Sequence, residues 1–335
     1  MNLANQTDSF AAQDLAGKAI LFEIGAKSGI LELIEREQEF KPTDLSKQLD
    51  IQQDFLTIYL ETLTNLELLA KRKVENTHEE IYTKTASYQQ EKNKIGYIAW
   101  GMISCAPLIS NTQAFTADFA TAVRLYHRSG EHVARTSNWM GAKDFYPHAE
   151  NVITQLQPKK MVDLGSGTCG LLIRLAQKIP GLIGIGVDLS QDACDKAQVH
   201  LKECALEDRI KVIVSPIQNL IQNKDVFLNA DVIHAGFVFH DLLPDEEKKL
   251  DSLLICINQT APNTTLVIVD AIPFSKNQHE RAFSSAFSFL HQFYMGRQLL
   301  SESAWQIKLK NAGFNHVAIE SLGISGGRIF VAKKS

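Results

Sequence analysis

The run Lys160-Met161-Val162-Asp163-Leu164-Gly165-Ser166-Gly167-Thr168-Cys169-Gly170 limits the folds open to this chain more than any other stretch. Met161 and Val162 read as a short apolar strand entering a glycine-rich turn, and residues 171–178 carry the periodicity of a helix. Ile183-Gly184-Ile185-Gly186-Val187 then reads as a second buried strand, ending on Asp188. Strand, glycine loop, helix, strand and acid make the first half of a nucleotide-binding βαβ unit. Glycines let the backbone come close to a ligand, and an acid after the second strand can take both hydroxyls of a ribose. Gly165, Gly167 and Gly170 satisfy G-x-G-x-x-G, which alone suits a dinucleotide. Asp163 points elsewhere. A carboxylate two residues before the first glycine would repel a pyrophosphate, and it suits a ligand carrying a positive amine.

From residue 160 onward, strand-like and helical segments alternate: a helix at 193–204, strands at 210–214 and 231–237, and a helix beginning near Asp245. A strand at 265–270 and helices across 280–296 and 302–311 follow. Alternation of this kind predicts an α/β fold with a doubly wound, mostly parallel sheet that holds its ligand at the carboxyl ends of the strands. The closing segments 316–321 and 328–333, around Gly323, Gly326 and Gly327, read as an antiparallel edge pair.

The first 150 residues have a different character. Residues 11–37 are helical in period, with Leu15, Ile20, Leu21, Ile24, Ile30, Leu31, Leu33 and Ile34 spaced around Gly25 and Gly29. A short helix after Pro42, a third helix over 53–69 and a weakly alternating hairpin over 71–85, with a polar tip at 75–78, complete a winged-helix pattern. A DNA-reading helix needs Arg or Lys for phosphates and bases. The third helix carries Asp54, Glu61 and Glu67 and no basic residue before Lys71, which argues against DNA. Residues 95–150 read as a helical connector rich in aromatics. In it Arg124 and Arg128 are spaced to share a helix face, either as a solvated pair or as a clamp for a substrate carboxylate. The expected division is 1–94, 95–150 and 151–335.

A net charge of −4 over 335 residues gives no basic field for nucleic acid or an anionic membrane. Five scattered cysteines without C-x-x-C spacing read as a reduced protein without structural zinc. No run approaches a membrane span, and the first residues lack the basic flank and apolar core of a secretory signal. A soluble, cytoplasmic protein is expected.

Residues 162–170 resemble the first motif of the S-adenosylmethionine-dependent methyltransferases, which opens Val/Ile-Asp-x-Gly-x-Gly. The order of segments resembles the small-molecule O-methyltransferases over nearly the whole chain. The resemblance implies a Rossmann-like class I methyltransferase domain behind an N-terminal winged-helix domain that serves homodimerisation. It also implies S-adenosylmethionine as cofactor. Asp163, Gly165, Ser166 and Gly167 would hold its methionine end, and Asp188 and Leu189 its ribose, unless Asp188 only caps the next helix. Gln218 would stand where relatives carry an acid near the adenine, and Gly236 and Phe237 would close the site. His240, beside Asp241, would be the general base.

His291 adds a second expectation. With His240 it resembles bacterial 2-oxo-acid C-methyltransferases (phenylpyruvate, indolepyruvate and 2-ketoarginine methyltransferases), in which two histidines hold iron. A cation chelating a 2-oxo acid would stabilise its enolate for methylation at C3. Arg124 or Arg128 would pair with the substrate carboxylate, and Trp100, Phe237 and Phe287 would form apolar walls. The favoured reaction is thus C3-methylation of a 2-oxo acid, with His240 and His291 on iron. The alternative is metal-independent O-methylation of a hydroxylated aromatic with His240 as base, His291 being only a polar residue of the pocket wall. A ligand-sensing winged-helix regulator and an NAD-linked oxidoreductase are the remaining readings.

Overall fold

The computed structural model describes residues 3–75 and 79–334, so the tip of the expected hairpin, residues 76–78, lies outside the described residues. The chain divides into two compact units, residues 1–110 with 128–143 and residues 111–127 with 144–335. The expected connector, 95–150, is shared between them.

The first unit opens with α1 (Leu3–Lys27) and α2 (Ile30–Arg36). A single helix over 11–37 is interrupted because Gly29 takes a left-handed φ of 76°, a conformation glycine adopts without steric cost. After β1 (Glu39–Phe40) come α3 (Pro42–Leu49), with Pro42 in its first turn, and α4 (Gln53–Asn65). The third helix stops short of Leu69: Glu67 turns to φ 58° and the Leu68 amide returns to the Leu63 carbonyl, a left-handed C-terminal closure. The hairpin is β2 (Leu69–Lys73) with β3 (Glu80–Lys84), and β3 also pairs with β1 to make three antiparallel strands. Phe22, Ile30, Ile34, Leu56, Leu60, Leu63 and Tyr82 form the core of this unit. α5 (Tyr88–Ala99), a π-helical turn at Trp100–Ser104 and α6 (Ala106–Ile109) follow.

The second unit takes up the chain with α7 (Thr112–Ala117) and α8 (Phe119–Leu125). Next, α9 (Gly130–Asp144) belongs to the first unit up to Lys143 and packs on α5, where a side chain at Gly96 would meet Trp139 and Met140 at 3.0 Å. The second unit resumes with α10 (Tyr146–Gln155), and the sheet begins at β4 (Lys160–Leu164). In chain order come α11 (Gly170–Lys178), β5 (Ile183–Asp188), α12 (Gln191–Glu203), β6 (Ile210–Val214), β7 (Val232–Gly236) and α13 (Glu247–Thr260). Then follow β8 (Thr265–Ala271), α14 (Arg281–Tyr294), α15 (Glu302–Asn311), β9 (His316–Ser321) and β10 (Gly327–Lys333).

The strand order is β6-β5-β4-β7-β8-β10-β9, parallel from β6 to β8. The closing pair is the antiparallel edge pair expected. Antiparallel β10 inserts beside β8, and β9 takes the edge. Strand β8 is buried along its whole length, as a strand covered on both faces must be. On one face lies α13, whose Leu250, Leu253, Leu254 and Ile257 repeat at helical spacing and are fully buried, together with Trp305 and Leu309 of α15. This is the doubly wound α/β architecture expected from the sequence, and it puts a crevice where the strand order reverses, between β4 and β7.

Candidate active site

The loop after β4 is built for close approach. Gly165 and Gly167 take φ of 71° and 53°, and Cys169, also left-handed at 61°, leads into α11. A β-carbon on Gly165 would strike Val238 at 2.9 Å, whereas one on Gly167 would meet nothing within 4 Å. Open space at Gly167 is what a backbone cradle for a ligand requires. Beneath the loop, a β-carbon on Gly186 would lie 2.5 Å from Cys169 Sγ and 2.8 Å from Ser166 Oγ, so β5 must carry glycine there. Burial, with Asp163 and Asp188 nearby, pushes the Cys169 thiol up to about 12.

Asp188 ends β5 and holds the loop. Its Oδ2 accepts from the Gly167 amide at 2.8 Å and its Oδ1 from the Ser190 amide at 2.9 Å. The cap of α12 is Ser190, whose hydroxyl accepts from the Ala193 amide. Each carboxylate oxygen can still accept a ribose hydroxyl. Leu189 beside it is exposed. Gln218 lies in a short 3-10 turn after β6 and gives its side-chain N–H to Glu246 at 2.8 Å, which leaves its carbonyl oxygen for an adenine amine.

Asp163 is buried, and its Oδ1 accepts from Nδ1 of buried His234 at 2.7 Å. His234 was not anticipated from sequence. Tyr146 of α10 also borders this corner: burial, then the charge of Asp163, raises its pKa against the opposing Arg174. The guanidinium of Arg174 lies over the Tyr146 ring at 4.9 Å, donates to Glu150, and keeps Nη2 buried without a hydrogen-bond partner among the described residues. A buried carboxylate, an unsatisfied guanidinium N–H and an open glycine loop fit a zwitterionic amino-acid tail beside a nucleoside.

The second constellation lies past β7. Phe237 takes a left-handed φ of 52°, uncommon for an aromatic residue, while its amide donates to the Val269 carbonyl at 2.7 Å. That turn leads into a 3-10 segment, Phe239–Leu242, which buries His240. His240 Nδ1 donates to Oδ1 of Asp270 at 2.6 Å, and the same oxygen accepts from the Ala271 amide at 2.8 Å. Asp270 Oδ2 is buried with no hydrogen-bond partner among the described residues.

Sequence adjacency named Asp241 as the companion of His240. The structure instead gives Asp241 an exposed side chain 4.0 Å from Nε2 of His240, and 3.8 Å from Nε of Arg297. The signal for Asp270 was present, as an acid closing a wholly apolar strand. With Nδ1 committed as donor, Nε2 is the nitrogen that can accept a proton.

His291 lies on α14 and does come close: its ring meets that of His240 edge-on, with centroids 5.2 Å apart, and stacks on Phe287 at 4.0 Å. Its Nδ1 donates to the Phe287 carbonyl at 2.8 Å. Each imidazole thus has its Nδ1 engaged. Among the described residues, no group of three or more His, Cys, Asp or Glu side chains is placed to hold a metal ion. The iron expectation therefore finds two facing imidazoles but no fuller donor set.

The arginine pair does not form as expected. α8 ends at Leu125, where Tyr126 turns extended (φ −116°, ψ 116°), so Arg128 lies in the irregular segment beyond the helix. Arg124 is exposed and belongs to the second unit, Arg128 to the first. Trp100 is buried in the first unit. Phe237 packs on Phe145 at 5.0 Å, and Phe287 faces the histidine pair.

Residues 162–263 match the family model described as a methyltransferase domain. Over the whole chain the fold is similar to human N-acetylserotonin methyltransferase in complex with S-adenosylmethionine, with TM-score 0.61 and 12% identity over 100% of this chain and 99% of that one. It is likewise similar to the N,N-8-amino-8-demethyl-D-riboflavin dimethyltransferase of Streptomyces davawensis (TM-score 0.60, 14% identity, 100% of both chains). The mitomycin 7-O-methyltransferase gives TM-score 0.56 and 17% identity over 99% of this chain and 98% of that one. At these identities the whole-chain likenesses show the fold. The domain match falls on the loop, the acid and the histidine segment described above. Residues 162–263 are thus a methyltransferase domain.

Proposed function

We propose that this methyltransferase acts on the hydroxyl of an aromatic small molecule, with His240 as general base and no metal. The observation that carries the reading is the buried His240–Asp270 pair, joined at 2.6 Å at the carboxyl end of the strands. S-adenosylmethionine supplies an electrophilic sulfonium methyl group. Asp163 and Arg174 would hold its amino-acid end, and Asp188 its ribose. Nε2 of His240 takes the acceptor's hydroxyl proton as the oxygen becomes nucleophilic, and Asp270 stabilises the imidazolium that results. Phe287, stacked on His291, and Phe237, edge-on to Phe145, offer apolar walls that suit an aromatic ring.

A second reading, C3-methylation of a 2-oxo acid with iron on His240 and His291, draws support from one observation, the edge-on approach of the two imidazoles. A panel of phenols and 2-oxo acids, assayed with labelled methyl donor with and without ferrous iron and chelator, separates the two. Transfer to a phenol that is indifferent to chelator is the expected result. Transfer confined to 2-oxo acids and dependent on iron overturns it.

The N-terminal unit is proposed to make a homodimer. Ile20 and Ile24 of α1 and Phe55 and Ile58 of α4 are exposed, and a winged-helix domain would cover such a face with its partner copy. Light scattering should give twice the chain mass, and Ile58→Glu should halve it. An unaltered mass in that variant rules out this face.

A further inference from the structure

We propose that His234 is a positioning residue for the cofactor's α-ammonium group, acting through Asp163. The inference rests on S-adenosylmethionine being the ligand of the glycine loop. Asp163 and His234 are register partners on adjacent parallel strands. The same row across the sheet continues through Gly186 and Val212 on one side and Val267 and Val331 on the other. These members are glycine or valine and the row ends at Ala318 on β9, so His234 is the one side chain of the row that can satisfy the carboxylate laterally.

The geometry fixes the imidazole as well. A β-carbon at Gly236 would sit 3.0 Å from Cε1 and 3.5 Å from Nε2 of His234, so the ring fills the space that a side chain at Gly236 would need. On the other flank, Cys169 and Ser166 close over Gly186. Asp163 is thereby locked, with Oδ1 committed to His234 and Oδ2 left to the ligand.

The choice of imidazole has a chemical reason. A carboxylate buried to this degree needs a hydrogen-bond donor from the protein. A lysine or arginine would provide one, but its charge would compete with the ammonium. An imidazole donates one N–H from Nδ1 to one oxygen without bringing the permanent charge of a lysine or arginine. The other polar groups at this corner act differently: Tyr146 is a neutral phenol, and Arg174 is drawn to Glu150 and the Tyr146 ring.

The test compares two ligands by calorimetry on the full chain. S-adenosylhomocysteine carries the ammonium, and 5′-methylthioadenosine lacks the amino-acid end. His234→Ala should weaken S-adenosylhomocysteine about tenfold, the value of one hydrogen bond to a charged group, and leave 5′-methylthioadenosine within about twofold. His234→Asn, which keeps an N–H near Nδ1, should recover most of the loss. His234→Leu provides the same comparison should the alanine variant fail to fold. Equal losses for both ligands, or no loss for either, or no recovery with asparagine, would overturn the role. If neither ligand binds the unaltered protein, the cofactor reading itself falls, and this inference with it.

Discussion

Replacing Asp270 by asparagine tests how His240 is held. In many His–Asp pairs the amide could turn its NH2 toward the imidazole and force the wrong tautomer, with losses of about 10⁴ in rate. Here Asp270 Oδ1 also accepts from the Ala271 amide at 2.8 Å, so an NH2 placed there would face two donors. The asparagine oxygen must therefore stay at the Oδ1 position, and Nδ1 of His240 keeps an acceptor. What is lost is charge. The bond to the imidazolium falls from one between opposite charges to one that keeps only the donor's charge, a difference of about 1–2 kcal/mol, or roughly 5- to 30-fold in kcat. The buried NH2 would then occupy the Oδ2 position, unpartnered among the described residues, and should cost about 1–3 kcal/mol in stability. Turnover of labelled S-adenosylmethionine on the best acceptor from the panel, together with a thermal melt, measures both. A loss near 10⁴ in kcat would show that the tautomer inverts after all, and an unchanged kcat would remove Asp270 from the mechanism.

Three further outcomes are expected. Gly167→Ala places a methyl group at φ 53° in the open cradle, so S-adenosylhomocysteine affinity by calorimetry should fall more than tenfold while stability drops only about 1–2 kcal/mol; equal affinity would mean the cradle lies elsewhere. Burial pushes Glu150 up, but Lys178 and Arg174 outweigh it and hold its pKa below 4.5, so its stabilising contribution is present above pH 4.5 and lost as pH falls through the folded value. Glu150→Gln should therefore cost about 1–2 kcal/mol in a melt at pH 7, and a gap that does not narrow in acid contradicts the ion-pair account. The Cys169 thiol, held near 12 by burial, should resist alkylation at pH 8 while exposed Cys204 is modified, as peptide mass spectrometry would read; rapid labelling of Cys169 in the folded protein runs against the packing described.

The sheet was readable because its strands are continuous apolar runs of the right length. The segments 210–214 and 302–311 coincide with β6 and α15. Local periodicity is blind to φ, and that is why Gly29 and Glu67 cut two helices where the apolar pattern ran on. The same limit undid the arginine pair, since an extended Tyr126 removes the helix on which spacing of four has meaning. At the site, the residues lying along the chain were legible, namely the glycine loop, Asp188 and His240. Their partners were not. Asp270 and His234 reach their targets across neighbouring strands, and lateral contacts leave no periodic trace in one sequence. Asp241 was chosen because it is adjacent to His240, yet adjacent residues in a turn point in different directions.

The bond from the Gly167 amide to Asp188 has a kinetic consequence. The carboxylate that would receive the sugar already braces the loop, so the arriving nucleoside finds a finished receptor and spends little on ordering it. Capture should then proceed as a single diffusional step without a slow isomerisation. Differences in affinity among nucleoside analogues should consequently appear in how fast they leave.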